Sequence, residues 1–228
     1  MRASTRLENK QNYGAICITY LFLIPEKQGD MNNMNMQASF ILASASPRRK
    51  ELLGALIPDF EIIPSNVDES PLGGETPKDH VLRLSREKAL AVSHSHPGRW
   101  VLGADTVVVV DGEMLGKPAT HAEARRMLGM LSGREHIVIT GFALVKEGEG
   151  VVVNETVRSG VLFKDISEDE MEWYTATSEP YDKAGGYAVQ GKAAFFIKEI
   201  HGSYTNVIGL PLSEVVTAME KAGALRLA

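Results

Sequence analysis

The chain has 228 residues, 44% of them hydrophobic, with a formal net charge of −5 and a pI near 5.7. That length and apolar content suffice for one substantial core, in one domain or two closely packed lobes. The acidic balance argues against gripping long nucleic acid, which calls for a basic surplus. The single cysteine, Cys17, rules out an internal disulfide framework and favours a cytoplasmic setting.

In chain order, the first feature is the apolar run "ICITYLFLIP", Ile16 to Pro25. It is too short to span a bilayer, and no membrane role is expected. Arg2, Arg6 and Lys10 precede it as in a signal peptide, but no small-x-small cleavage site follows in "EKQGDMNNMNMQ". Residues 1–37 are therefore expected to be a poorly ordered extension, or the result of a start site assigned upstream of Met31, Met34 or Met36. The folded domain is expected over 38–228.

Phe40 to Ser44 reads as a short apolar strand. Ser46-Pro47 then opens a helix, with serine as N-cap and proline where its missing N–H costs nothing. "FEIIPSN" is a second strand, and Thr76-Pro77 repeats the helix-start signal. Trp100 to Val110 is a long apolar strand interrupted by "GAD", followed by an Asp111-Gly112 turn. Thr120 with Glu123, and Ser167 with Glu170, form two capping boxes. Between them, His136–Val145 and Val151–Phe163 flank "KEGEG" as a hairpin. A glycine-rich stretch from Pro180 to Gly191 precedes the strand "AAFFIKEI", and "PLSEVVTAMEKAG" closes the chain as a helix stopped by Gly223. Alternating helices and strands with a hairpin predict an α/β fold with a mixed, twisted sheet and flanking helices. His94 and His96 in "SHSHPG" read as a solvated helix end rather than a zinc site.

Three clusters carry chemistry. "SASPRRK", residues 44–50, puts Ser44, Ser46, Arg48 and Arg49 around a helix N-terminus, whose open N–H groups and partial positive charge favour phosphate. No Walker loop is present. The bland alternative is a capped helix with solvated arginines. "GADT", residues 103–106, embeds Asp105 in an apolar strand, where a carboxylate must be paired or metal-bound; a structurally hydrogen-bonded aspartate is the alternative. Gly103 and Ala104 leave room for a ligand near the backbone. "VDES" supplies Asp68 and Glu69, suited to a hard divalent cation, or simply an acidic turn. Lys117 in "LGKPA" and Lys183 in "YDKAGGYAVQG" lie in turn-like segments, while Lys88 in "SREKA" reads on spacing alone as a surface lysine. Gln190 has the paired donor and acceptor that can read a base edge.

The segments "LASASPRRKELL", "VDES", "RLSREKA", "VLGADTVVV", "GKP", "LSG", "EPYDKAGGYAVQG" and "GSYTNVIGLPL", in this order and spacing, make the chain after about residue 38 resemble the Maf family of nucleotide pyrophosphatases. The resemblance implies two lobes around a central cleft, similar to inosine triphosphate pyrophosphatases. It implies hydrolysis of a nucleoside triphosphate between the α and β phosphates with a divalent cation, Mg2+ or Mn2+. Asp105 matches the family's catalytic aspartate; on the residues' own chemistry, Asp105 with Glu69 is expected to hold the metal. Ser44, Ser46, Arg48, Arg49, Lys88, Lys117 and Lys183 would bind substrate. Arg48, Thr106 and Gln190 match the positions that mark substrate choice, with the residues of the branch acting on dTTP and UTP rather than the "SPWR", "SDQ" and glutamate of the branch preferring 7-methyl-GTP. A homodimer is compatible with the resemblance. The competing expectation is a non-catalytic nucleotide-binding regulator of cell division, which the carboxylates of Asp68, Glu69 and Asp105 disfavour.

Overall fold

The computed structural model of the protein describes residues 34–36 and 40–227. The extension expected over residues 1–37 lies almost wholly outside the described residues. Strand β1 (Met34–Met36) pairs antiparallel with the last strand, β9 (Leu225–Leu227), apart from the main sheet. The main chain path then runs β2 (Phe40–Leu42), α1 (Pro47–Gly54), β3 (Phe60–Ile62), α2 (Pro77–Ser93), β4 (Trp100–Val110), β5 (Glu113–Leu115), α3 (His121–Leu131), β6 (Glu135–Lys146), β7 (Gly150–Phe163), α4 (Glu168–Thr175), β8 (Ile197–His201), α5 (Tyr204–Ile208) and α6 (Leu212–Lys221).

The seven-stranded sheet has the order β3-β2-β4-β6-β7-β8, with β5 added to β4. Strands β3, β2 and β4 run parallel, and the rest pair antiparallel. The sheet is mixed, as expected. Side chains alternate across a strand, and β2 and β4 divide accordingly. Phe40, Leu42, Trp100, Leu102 and Ala104 pack with α1 and α6 through Leu53, Val215 and Met219. Ile41, Ala43 and Val101 face α2 through Ala89 and Val92. A second large core joins Val108 and Val138 to α3, α4 and Tyr187. Among the described residues no helix is long and apolar enough to cross a membrane.

Helix starts follow the local chemistry. Ser46, Thr76, Thr120 and Ser167 each accept a hydrogen bond from the backbone three residues on. The Ser167–Glu170 capping box closes in both directions. The Thr120 box closes in one: the Glu123 carboxylate accepts from Ala119 N–H at 2.8 Å instead of from the cap. The expected strand "AAFFIKEI" starts late. Lys192–Phe196 forms a 3₁₀ turn because the Glu179 carboxylate accepts from Lys192 N–H and Ala193 N–H at 2.8 and 3.2 Å, drawing that backbone out of the sheet.

Two glycines set the height of α2 above the sheet. A β-carbon on Gly103 would lie 2.2 Å from Ser85 O, and one on Gly141 2.2 Å from Val81 O. The space expected for a ligand at Gly103 is filled by the helix backbone. This close approach lowers α2 onto β4 and β6 and brings its next turn, bearing Lys88, against Asp105.

Candidate active site

Strand β4 has an open segment along one edge. It pairs there with β2 over Trp100–Leu102 and with β5 over Val108–Val110, leaving Gly103–Val107 without a strand neighbour on that side among the described residues. A cavity of about 370 Å³ opens at this gap, beyond the carboxyl end of β2, the usual place for a ligand in an α/β sheet. Its lining joins the Ser44–Arg49 turn to Glu69, Lys88, Asp105, Thr106, Lys117, Asp182, Lys183 and Tyr187.

Asp105 and Thr106, adjacent on β4, point to opposite faces of the sheet. Asp105, on the α2 face, is 7% exposed. Its Oδ1 accepts from Lys88 Nζ at 2.7 Å. Lys88 is itself buried, contrary to the surface role its spacing suggested, and its ammonium also pairs with Glu69 Oε1 at 2.6 Å. One cation thus gathers two carboxylates. Burial acts to raise the Glu69 pKa, but the hydrogen bond and charge of Lys88, with Lys117 and Arg49 farther off, outweigh it and hold the carboxyl below its ordinary value.

On the other face, Thr106 Oγ1 lies 2.9 Å from Thr140 Oγ1 and accepts from Arg49 Nη2 at 3.0 Å. Arg49 also donates from Nε to Gly209 O at 2.8 Å and from Nη1 to Ala104 O at 2.8 Å and Ser44 Oγ at 3.2 Å. These bonds engage four of the five guanidinium N–H groups. Burial pulls the Arg49 pKa below the usual guanidinium value, against the opposing charges of Asp105 and Glu69. Arg49 therefore closes the open β4 edge and ties it to the α1 turn and the Gly209 segment.

The remaining cations are freer. Arg48 reaches Asp182 at 3.6 Å, and Lys183 donates to Glu179 O at 2.8 Å and pairs with Asp182. Lys117 is exposed, with no hydrogen bond or ion pair among the described residues. Ser46 Oγ caps α1, and Ser44 Oγ accepts from Ser46 N–H at 3.2 Å.

The structure thus brings together Ser44, Ser46, Arg48, Arg49, Glu69, Lys88, Asp105, Thr106, Lys117 and Lys183. It leaves Gln190 exposed and outside the cavity lining. Asp68 also stays outside; its carboxylate accepts from Ser70 N–H at 2.9 Å in a local turn. Sequence reading missed Asp182, which sits between Arg48 and Lys183, and Tyr187, whose hydroxyl meets buried His136 Nε2 at 2.7 Å. Only their place in the glycine-rich stretch hinted at either.

Fold and site together define an α/β protein in which a gap beside a central strand holds a cation-lined cavity with a pair of carboxylates. The Maf-like protein family model matches residues 39–222, and the chain belongs to this family. It is 62% identical over 185 residues to a dTTP/UTP pyrophosphatase of Syntrophus aciditrophicus, covering 81% of this chain and 90% of that relative. It is 50% identical over 192 residues to a dTTP/UTP pyrophosphatase of Geotalea uraniireducens, covering 84% and 99%. Among solved structures, a nucleoside-triphosphatase / dITP/XTP pyrophosphatase of Mycobacterium abscessus is similar with TM-score 0.40 and 18% identity over 82% of this chain and 97% of that one.

Proposed function

We propose that this chain hydrolyses dTTP and UTP to the nucleoside monophosphate and pyrophosphate, with a divalent cation, as a cytoplasmic guardian of the nucleotide pool. The observation that carries the reading is Asp105: a buried carboxylate on an apolar strand, open to a cavity lined with cations. The names of the close relatives supply the substrate class.

Asp105 and Glu69 suit Mg2+ or Mn2+. Both carboxylates already converge on one positive centre, the Lys88 ammonium. Such an ion commonly takes one or two carboxylates and fills its other positions with phosphate oxygens and water. When bound, it would lower the pKa of water and offset charge developing on the phosphates.

The chain's own residues divide the remaining tasks. The triphosphate lies against the Ser44–Arg49 turn, where the α1 N-terminus favours anions. Arg48, Lys117 and Lys183 offset its charge. Arg49 holds the turn against β4, and Thr106, which lines the cavity, is assigned to substrate choice. Among the described residues, the hydrogen bond to Asp105 falls on Oδ1. Oδ2 is left to accept a proton from water as that water attacks the α phosphorus. The bond from this phosphorus to the bridging oxygen breaks, and pyrophosphate leaves with the electron pair. Positioning and electrostatic stabilisation provide most of the acceleration.

The test is a pyrophosphate-release assay across the common nucleoside triphosphates, with Mg2+, Mn2+ or a chelator. Turnover is expected to be fastest on dTTP and UTP and lost with the chelator. Equal turnover of all nucleotides, or full activity in chelator, contradicts the reading.

A further inference from the structure

The carboxylate of Glu69 sits on the long connection between β3 and α2, a stretch with neither helix nor strand from Ile63 to Thr76. Its side chain is 53% exposed, so packing does little to aim it. Three residues of α2 reach the connection: Lys88, Arg83 and, through Glu75, His80. Lys88 takes the Glu69 carboxylate itself. Outside the cavity lining, Arg83 takes the backbone beside it, donating from Nη2 to Ser70 O at 3.2 Å.

Arg83 is fixed for that contact. Its Nε and Nη2 grip both oxygens of Glu75 at 2.7 and 2.9 Å, and its Nη1 reaches Glu87 at 3.2 Å. The Glu75 side chain is only 7% exposed, and it also meets His80 Nδ1 at 2.9 Å and accepts from Leu72 N–H at 3.1 Å. The two-pronged guanidinium–carboxylate pair is a rigid geometry that an ammonium cannot copy. The hydrogen bonds from Arg83 hold the Glu75 carboxyl far below the usual carboxylate range, so the clasp stays ionised at working pH.

We propose that Arg83, clasped to Glu75, is a positioning residue for the Glu69 carboxylate, so that the affinity of the cavity for its divalent cation depends on a guanidinium outside the cavity. The inference rests on the metal reading above. A divalent cation taken by Glu69 and Asp105 competes with the Lys88 ammonium for both carboxylates; as that tie weakens, the Arg83–Ser70 contact is, among the described residues, the remaining tie from α2 to the Glu69-Ser70 pair.

The test uses Mn2+ titrations of the full chain without nucleotide, followed by EPR, for wild type, Arg83→Gln, Arg83→Lys and Glu69→Gln. Removing partners that orient a ligating residue commonly costs about 10–100-fold in metal affinity. Arg83→Gln is expected to weaken Mn2+ by that order, with Arg83→Lys recovering only part. In pyrophosphate release, Arg83→Gln should raise the half-saturating Mn2+ concentration while kcat at saturating Mn2+ stays near wild type. Glu75→Gln, which spares Arg83, should shift metal dependence the same way and covers the case in which Arg83→Gln does not fold. Wild-type Mn2+ affinity in a folded Arg83→Gln or Glu75→Gln protein overturns the inference, as does a fall in kcat with unchanged metal dependence. Those results leave the metal reading intact if Glu69→Gln still loses Mn2+. A wild type that binds no Mn2+ sinks both.

Discussion

The two sides of the cavity are built differently. The carboxylate side is fixed: Asp105 lies in a central strand, Lys88 on a helix seated against two glycines, and the pair is almost wholly buried. The opposite side offers Arg48 from the first turn of α1 and Lys117 and Lys183 from loops: Lys117 is exposed with no partner among the described residues, Arg48 faces the exposed Asp182, and Lys183 is held by Asp182 and the Glu179 carbonyl. Among the described residues, Arg49 links the α1 turn to β4 and the Gly209 segment by four hydrogen bonds. The difference separates roles. Chemistry that needs a fixed geometry falls to the rigid side, while neutralising a flexible triphosphate can be shared among groups whose individual placement matters less.

The comparison breaks most sharply at Asp105. Asp105→Asn keeps the shape and removes the charge, and is expected to lower kcat by about 10²–10³, the usual loss for one oriented electrostatic group. Steady-state pyrophosphate release checks this, with a thermal melt to establish folding; near-normal turnover in a folded variant would assign the chemistry elsewhere.

Arg49→Met tests that link. It removes the side-chain donor of Ala104 O and leaves Gly209 O with only the longer bond from Thr106 Oγ1 at 3.3 Å, at about 1–3 kcal/mol for a buried acceptor left unpaired. A urea midpoint shift of that order is expected, and Arg49→Lys should recover little of it because an ammonium lacks the planar fork. An unchanged midpoint would make Arg49 an ordinary cavity cation like its neighbour.

The wall behind Tyr187 gives a pH signature. Burial lowers the His136 pKa from 6.5 to about 4. As pH falls from 6.5, the unfolded chain binds the proton first, so stability is lost from there down through pH 4. Chemical denaturation at several pH values should show this decline, and His136→Phe should flatten it. An equally steep decline in the variant would trace the loss to the carboxylates instead.

The smallest effect belongs to the exposed side. Lys117→Met is expected to cost about 1 kcal/mol or less, the scale of an exposed ion pair. It should raise KM with little change in kcat. A loss as large as that of Asp105→Asn would erase the proposed division of roles.

What the sequence made legible follows the range of the interactions. The caps at Ser46, Thr76 and Ser167 are settled within three residues, and the apolar run of β4 announces a buried strand by itself. The same holds for the hairpin around "KEGEG". Short elements were harder: α5 has five residues, and β5 owes its place to β4. The fate of "AAFF" depended on Glu179, thirteen residues away from Lys192. In the cavity, residue types and motif order marked the groups that gather. Their roles turn on distant partners: Lys88 on Asp105, 17 positions on, and Arg49 on Gly209, 160 positions on. No local pattern separates an arginine that locks a strand edge from its neighbour Arg48, which faces a pairing across the cavity.

The central claim, attack of water on the α phosphorus beside Asp105, is tested most directly by ³¹P NMR of dTTP turnover in ¹⁸O-labelled water. The account predicts dTMP carrying the label and unlabelled pyrophosphate. Label in the pyrophosphate, or formation of dTDP and orthophosphate, would contradict it.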